Sequence, residues 1–198
     1  MEPHSRTEDT PRSRTVLEGQ LRECFGRVVY SHKTHEKCAD ILLARLNRIK
    51  VAQIVLAALT TGGFLATVFG AGTITTVIGA VCSTALLALN AYTKSFDHGE
   101  LAQKHKQVAS ELWLIREKYL SLLTDLAMGE KPIEALQASR DELLQNLHTA
   151  YASAPATNSA SYAEAQKALK FREDLTFTDG EIDAFLPKAL KRGEGQQK

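Results

Sequence analysis

Three side chains early in the chain have a spacing that could bind a metal. His32, His35 and Cys38 recur every three residues, so His35 and Cys38 can share a helix face. Zinc takes such nitrogen and sulfur donors but needs at least three well-placed ligands, and a polar basic helix with incidental His and Cys explains the same residues. His98 and His105 are seven apart and share a face of a later segment. A histidine there could titrate near neutral pH, yet neither has a carboxylate placed to orient it. The glycines form no phosphate loop: Gly70-x-Gly72 lies in an apolar turn after no strand, and Gly62-Gly63 lies within an apolar run. No Ser/His/Asp motif is visible. Trp113 sits beside a seam residue of a helix and reads as packing or interface. The expectation is a protein without catalytic residues, cofactor or metal, and therefore not an enzyme.

The elements that carry these residues are set by one segment. From Val51 to Thr93 there are 43 residues without a charge, interrupted near the middle by Gly70-Ala71-Gly72. A bilayer core about 30 Å thick takes about 20 apolar residues per helical crossing. Val51–Phe69 supplies 19 and Thr73–Tyr92 supplies 20. The segment predicts a transmembrane hairpin over 51–93 with its turn at 70–72, and a lipid bilayer as its partner. The competing arrangement is a hairpin buried in a soluble bundle, but flanking helices with one apolar stripe each cannot cover two helices that are apolar all round. Eight threonines dilute the run, and their hydroxyls can bond helix carbonyls. Gln53 and Asn90 lie near the ends, where headgroups and water can solvate them. Lys33, Lys37, Arg45, Arg48 and Lys50 precede the first span, Lys94, Lys104 and Lys106 follow the second, and the turn has none. The positive-inside rule then places both termini in the cytoplasm of a multi-pass protein.

Small residues recur every four positions in both spans: Ala58, Gly62, Ala66 and Gly70 in the first, and Gly72, Thr76, Ala80, Thr84 and Ala88 in the second. Such stripes let helix backbones approach closely. Packing the two spans on each other would explain both stripes. Alternatively one stripe packs the hairpin and the other faces further copies, because two helices alone cannot enclose an aqueous path and a pore needs a homo-oligomer. The Gly/Thr-rich centre, Thr60 to Gly63 with Thr73, Thr75 and Thr76, is a candidate lining without charge to set selectivity.

Beyond the spans, Leu101, His105, Val108, Leu112, Ile115, Tyr119, Leu122 and Leu126 follow a heptad rhythm. Leu17, Leu21, Cys24, Val28, Ser31, His35, Cys38, Leu42, Arg45 and Ile49 follow it less cleanly upstream. The simplest arrangement continues both membrane helices as an antiparallel cytoplasmic pair. His35 and His105 then sit at similar depths, about 20 Å from the membrane, and could face each other. A third helix is predicted from Pro132 to about Ala150, with proline in its first turn. The domain plan is a disordered tail at 1–15, an amphipathic cytoplasmic helix at 16–50, the hairpin, a helical region at 94–151, a linker at 152–161, and short C-terminal helices with a tail at 162–198. Within the last, a helix covers Tyr162 to about Glu173, and Thr178 to Glu181 has capping-box spacing. Pro187 ends or bends the helix that follows, and Arg192 onward is expected to be disordered. No strand alternation persists, so the fold class is all-α.

Composition excludes some classes. The net charge is +1, residues 1–50 carry 10 Lys/Arg against 7 Asp/Glu, and no basic patch stands out, so no nucleic-acid binding is expected. Cys24, Cys38 and Cys82 form no pair motif and suggest reduced thiols facing the cytoplasm. Met1 to Thr15 has no apolar core of a signal peptide.

The order of segments resembles the SLATT proteins of bacterial conflict systems. The similar stretches are Lys33-Thr-His-Glu-Lys-Cys-Ala39 before the spans and His98 to Arg116 (HGELAQKHKQVASELWLIR) after them. Tyr151 to Pro187, with YASAPATN and TDGEIDAFLP, also looks like some members' tails, so the resemblance covers about residues 25–190. It implies a two-span effector in the bacterial inner membrane that oligomerises and breaches that membrane when a sensor detects infection, as in antiphage abortive infection. The implied partners are nucleotide-second-messenger synthases, nucleotide-sensing domains or reverse transcriptases encoded nearby. No synthase or sensor domain is recognisable here, so the trigger is a separate molecule or a ligand of the cytoplasmic helices. The family has no defined catalytic residues to carry over. The alternative is a passive membrane-anchored scaffold that recruits a cytoplasmic partner. The topology makes a direct prediction. Ala71→Cys should react with an impermeant thiol reagent added outside intact cells, and reaction only after permeabilisation would reject it.

Overall fold

Thr10 and Pro11 together start a helix. The Thr10 hydroxyl accepts the Ser13 N–H at 3.2 Å, and Pro11 occupies a first-turn position where its missing N–H costs nothing. The computed structural model describes residues 10–70, 72–187 and 191. From this cap α1 runs unbroken over Pro11–Val68, 58 residues and about 87 Å. Pro11 to Thr15 are therefore helical and not part of a disordered tail, since cap and proline nucleate a turn that the apolar stripe from Leu17 propagates. The rest of that expected tail, and the one expected from Arg192 onward, lie outside the described residues.

The chain then reverses. Phe69 caps α1, and Gly70 turns at φ 86° with its N–H on the Thr67 carbonyl at 3.1 Å, a backbone conformation that favours glycine. The α2 helix covers Thr73–Ser95. It does not continue into the next helix as the simplest arrangement had it. The backbone leaves the helix at Phe96–Asp97, and α3 restarts over His98–Met128 with Asp97 as N-cap, its carboxylate accepting the Glu100 N–H at 2.8 Å. The signal was in the sequence: Asp97 with Glu100 three residues on is capping spacing.

Gly129, at φ 75°, ends α3, and α4 follows over Ile133–Ala152 with Pro132 as its N-cap residue. The stretch read as a linker is shorter than expected, because Asn158 caps α5 over Ser159–Phe171 by accepting the Ser161 N–H at 2.9 Å. The Thr178–Glu181 capping box forms and opens α6 over Asp179–Phe185. Among the described residues there is no strand, and the fold is all-α.

Outside the spans, α1, α3 and α4 bury one continuous core. Leu17, Leu21 and Val28 of α1 meet Val108, Leu112, Ile115, Tyr119, Leu122 and Leu126 of α3 and Ile133, Leu136 and Leu143 of α4. Heptad spacing puts these residues on one stripe of each helix. Leu101 is the exception. It points outward at 39% exposure while Ala102 takes the buried place, so that going back from His105 the buried face steps three residues to Ala102 and four more to His98. Helix α5 packs on α1 through Ala165 and Ala168.

The spans contrast with this core. Ile54, Phe64, Phe69, Ile74, Val81 and Leu87 are all more than half exposed. Both apolar windows are long enough to cross a membrane, and among the described residues nothing buries either of them. A hairpin in a soluble core would be covered, and this one is bare.

Leu112→Ala should destabilise the bundle by about 2–5 kcal/mol, seen as a lower melting temperature of the detergent-solubilised chain by circular dichroism. Leu114→Ala, on the exposed side of α3, should change it little. Equal losses would mean that the seam is not the core.

Candidate functional site

About midway along the part of α1 that precedes the span, the helix buries a run of polar residues instead of leucines. His32, Lys33, Thr34 and His35 are all buried, followed by Cys38. Four consecutive buried residues need neighbours on more than one side of a helix. They find α3 on one side and α5 with the chain after it on the other.

His35 meets His105 of α3 across the seam, with the two Nδ1 atoms 2.9 Å apart and the ring centroids 5.0 Å apart. One Nδ1–H must donate and the other Nδ1 accept, so the contact requires two neutral imidazoles of complementary tautomer. Burial, then the neighbouring His105 and His32, pushes the His35 pKa down to about 4. Burial also lowers His105. His32 is lowered by burial, with Arg116 and Lys33 adding to the effect and Glu36 opposing it. Its Nδ1 is buried without a hydrogen-bond partner.

Lys33 carries its charge into this layer. Its Nζ lies 2.9 Å from Asp174 Oδ2 and 3.0 Å from Glu36 Oε2. Burial works against its charged form, but the hydrogen bonds from Asp174 and Glu36 outweigh that and raise its pKa. The pair with Asp174 ties the C-terminal segment to α1. Thr34 donates to the Tyr30 carbonyl at 2.7 Å. Deeper in the bundle the buried Tyr119 hydroxyl faces the Cys24 thiol, and burial raises its pKa.

On the α5 side of this layer lies a pocket of about 350 Å³, bordered by Tyr30, Tyr151, Tyr162 and His35. Tyr30 and Tyr162 stack with centroids 5.9 Å apart and ring planes at 32°. The Tyr151 hydroxyl bonds Ser31 Oγ at 2.7 Å. Sequence reasoning missed this pocket, because its tyrosines come from three helices and its wall, Ala154 to Thr157, looks like a linker.

Among the described residues no group of three or more His, Cys, Asp or Glu could hold a metal. Of the seam candidates, the structure brings together His35 and His105, buries Cys38 beside them on α1, and lines the core with Val108, Leu112, Ile115 and Tyr119.

In the spans, the candidate stripes turn out differently. The hairpin closes on another face: Leu56, Thr60, Gly63 and Thr67 of α1 and Thr75, Gly79, Cys82 and Leu86 of α2 are among its half-buried residues. A Cβ on Gly63 would lie 3.5 Å from the Gly79 Cα and 3.6 Å from the Thr75 carbonyl oxygen, so two backbones meet there. Ala58, Gly62, Gly70, Gly72, Ala80, Thr84 and Ala88 face outward. Of the predicted stripes only Ala66 is half-buried, and Thr76 touches across the hairpin, its hydroxyl 3.3 Å from that of Thr67. Four-residue spacing drifts around a helix of 3.6 residues per turn, so a count of small residues could not choose between neighbouring faces. Thr60, Gly63 and Thr75, candidates for a lining, lie in the hairpin seam instead. Thr60, Thr61, Thr67, Thr84 and Thr93 each donate to the carbonyl four residues back, between 2.8 and 3.1 Å. At the base, Gln53 Nε2 donates to Asn90 Oδ1 at 2.9 Å, so these two polar side chains satisfy each other.

The histidine pair sets a pH dependence. Unfolded, His35 titrates near 6.5; folded, it titrates near 4. Between these values the unfolded chain binds a proton that the folded chain refuses, so stability falls as the pH drops through that window. Lys33 and Arg116 face the layer as cations, Glu36 and Asp174 as anions. The melting temperature should fall from pH 7.5 to pH 5.5, and His35→Leu combined with His105→Leu should flatten that slope. A wild-type melting temperature flat over this range would refute the buried neutral pair.

Comparison with known proteins accords with this geometry of a bare two-helix hairpin on a helical bundle. No curated protein and no solved structure matches the chain. Residues 17–181, from the first core leucine of α1 into α6, match one family. The chain belongs to the SMODS and SLOG-associating 2TM effector domain family 4.

Proposed function

We propose that this protein is a membrane effector that assembles through its hairpin and breaches the bacterial inner membrane when a separate sensor activates it. Membership of a 2TM effector family supports a membrane effector of conflict systems, and antiphage defence is the setting that reading favours. The observation that carries the finer reading is the outward face of the hairpin. Ala58, Gly62, Ala80, Thr84 and Ala88 are exposed although the hairpin has already closed through Gly63 and Gly79. Small residues unused within a hairpin allow close approach of another helix in lipid, where packing replaces hydrophobic drive. A ring of such hairpins would present the outward hydroxyls of Thr61 and Thr84 and no charge, giving a poorly selective path. Both termini would then be cytoplasmic, with a nucleotide-second-messenger or other sensor system as the triggering partner.

The reading requires no catalysis. A general base works best with a pKa near the operating pH, and burial has moved His35 well below it. A passive scaffold would need only the tether and would tolerate any apolar pair of spans.

The full chain reconstituted in liposomes should conduct when its activator is present. Gly62→Leu and Ala80→Leu should insert normally and lose at least ten-fold in conductance. Gly63→Leu should instead disturb the hairpin itself and lower stability. Full conductance in both outward variants, or an unchanged membrane potential in cells expressing the chain with its activator, would sink the proposal.

A further inference from the structure

The tyrosine pocket has the makings of a ligand site that neither the hairpin nor the core requires. Its volume of about 350 Å³ falls at the small end of the range for small-molecule sites, which combine aromatic walls with a few placed polar groups. The walls are held in place. Tyr30 and Tyr162 stack on each other, Tyr151 is pinned to Ser31, and Asn158 caps α5 just beyond Thr157. Tyr151 and Tyr162 remain 40% and 47% exposed, so ring surface is available for stacking. The polar groups are hydroxyls, the backbone of Ala154 to Thr157, and His35. That histidine uses Nδ1 on His105 and makes no other hydrogen bond among the described residues, which leaves Nε2 for a ligand. Among the described residues no charged side chain lines the pocket, and burying an ionic group here would cost desolvation without a counter-charge.

We propose that this pocket binds a small, uncharged, planar heterocycle, stacked against the tyrosine rings and hydrogen-bonded to His35, and that its occupancy is passed to His105 across the seam. A ligand that fixes the tautomer of His35 fixes that of His105, because one Nδ1 of the pair must donate and the other accept. The consequence for a membrane breach rests on the effector reading above. The binding step does not, and it is measured without a membrane potential or an activator.

Adenine, uracil and nicotinamide serve as probes, titrated into the full chain in detergent micelles and followed by calorimetry. At least one should bind saturably with a Kd below about 1 mM. Tyr162→Ala should weaken it ten-fold or more, Tyr162→Phe should retain it, and Ala156→Trp should block it by filling the pocket while helicity is unchanged. Nitrogen NMR of the histidine rings should show His105, which lies outside the pocket, shifting on saturation. Absence of saturable binding by all three probes, or binding indifferent to Tyr162→Ala and Ala156→Trp, would overturn the site. Binding that leaves the His105 signals in place would overturn the coupling. Failure here with liposome conductance intact would discard the pocket and keep the effector. Binding here without conductance would do the reverse.

Discussion

The constraint behind everything else is that 43 uncharged residues must be kept from water by something the chain does not supply. In an ordinary fold apolar surface is covered by more protein. Here the covering stops where the uncharged run begins. The last fully buried residue of α1 before the spans is Ala39 and the first of α3 after them is His98, whereas the spans bury no side chain fully. The molecule is thus built for two solvents. The part outside the spans follows the rules of a helical bundle with an apolar stripe per helix. The hairpin follows the rules of lipid, where backbone and hydroxyl groups must be satisfied internally. Threonines bonding their own helix and the Gln53–Asn90 pair meet that second requirement.

The polar layer below the membrane is the part of the bundle with the most chemistry. Having His32, Lys33 and His35 in place of leucines gives up apolar packing, and most of that cost is offset by contacts within the layer, although His32 Nδ1 is left without one among the described residues. Two imidazoles serve each other, and a lysine is held between two carboxylates. These contacts also gather the fold, since Asp174 comes from the chain after α5 and His105 from α3. The layer fixes the register of three segments at one height.

Much of this arrangement is legible in the residues themselves. An uncharged run with a glycine-bearing break announces two spans. The 4, 3 spacing from His105 to Leu126 announces a seam, and it placed His35 and His105 at matching depths. Thr178 and Glu181 announce a cap. What was not legible depends on phase and on distant partners. Carried back from His105, the seam could step four residues to Leu101 or three to Ala102, and the packed face takes Ala102. The hairpin chose Gly63 over Gly62 because backbone approach selects a face, and composition is nearly the same on both. Tyr30, Tyr151 and Tyr162 converge only after three helices have packed, and Lys33 meets Asp174 across 140 residues of chain.

The two arms that enter the membrane differ mechanically. One is a single unbroken rod from Pro11 to Val68, whereas the other has a joint at Phe96–Asp97, where both residues lie outside helical dihedrals. Between Lys33 and Gly63 the first arm is one continuous helix, so the rotational setting of the first span follows from that of the bundle. The joint breaks that link on the second arm, whose setting in the hairpin rests on its own contacts with the first span, such as Gly79 against Gly63.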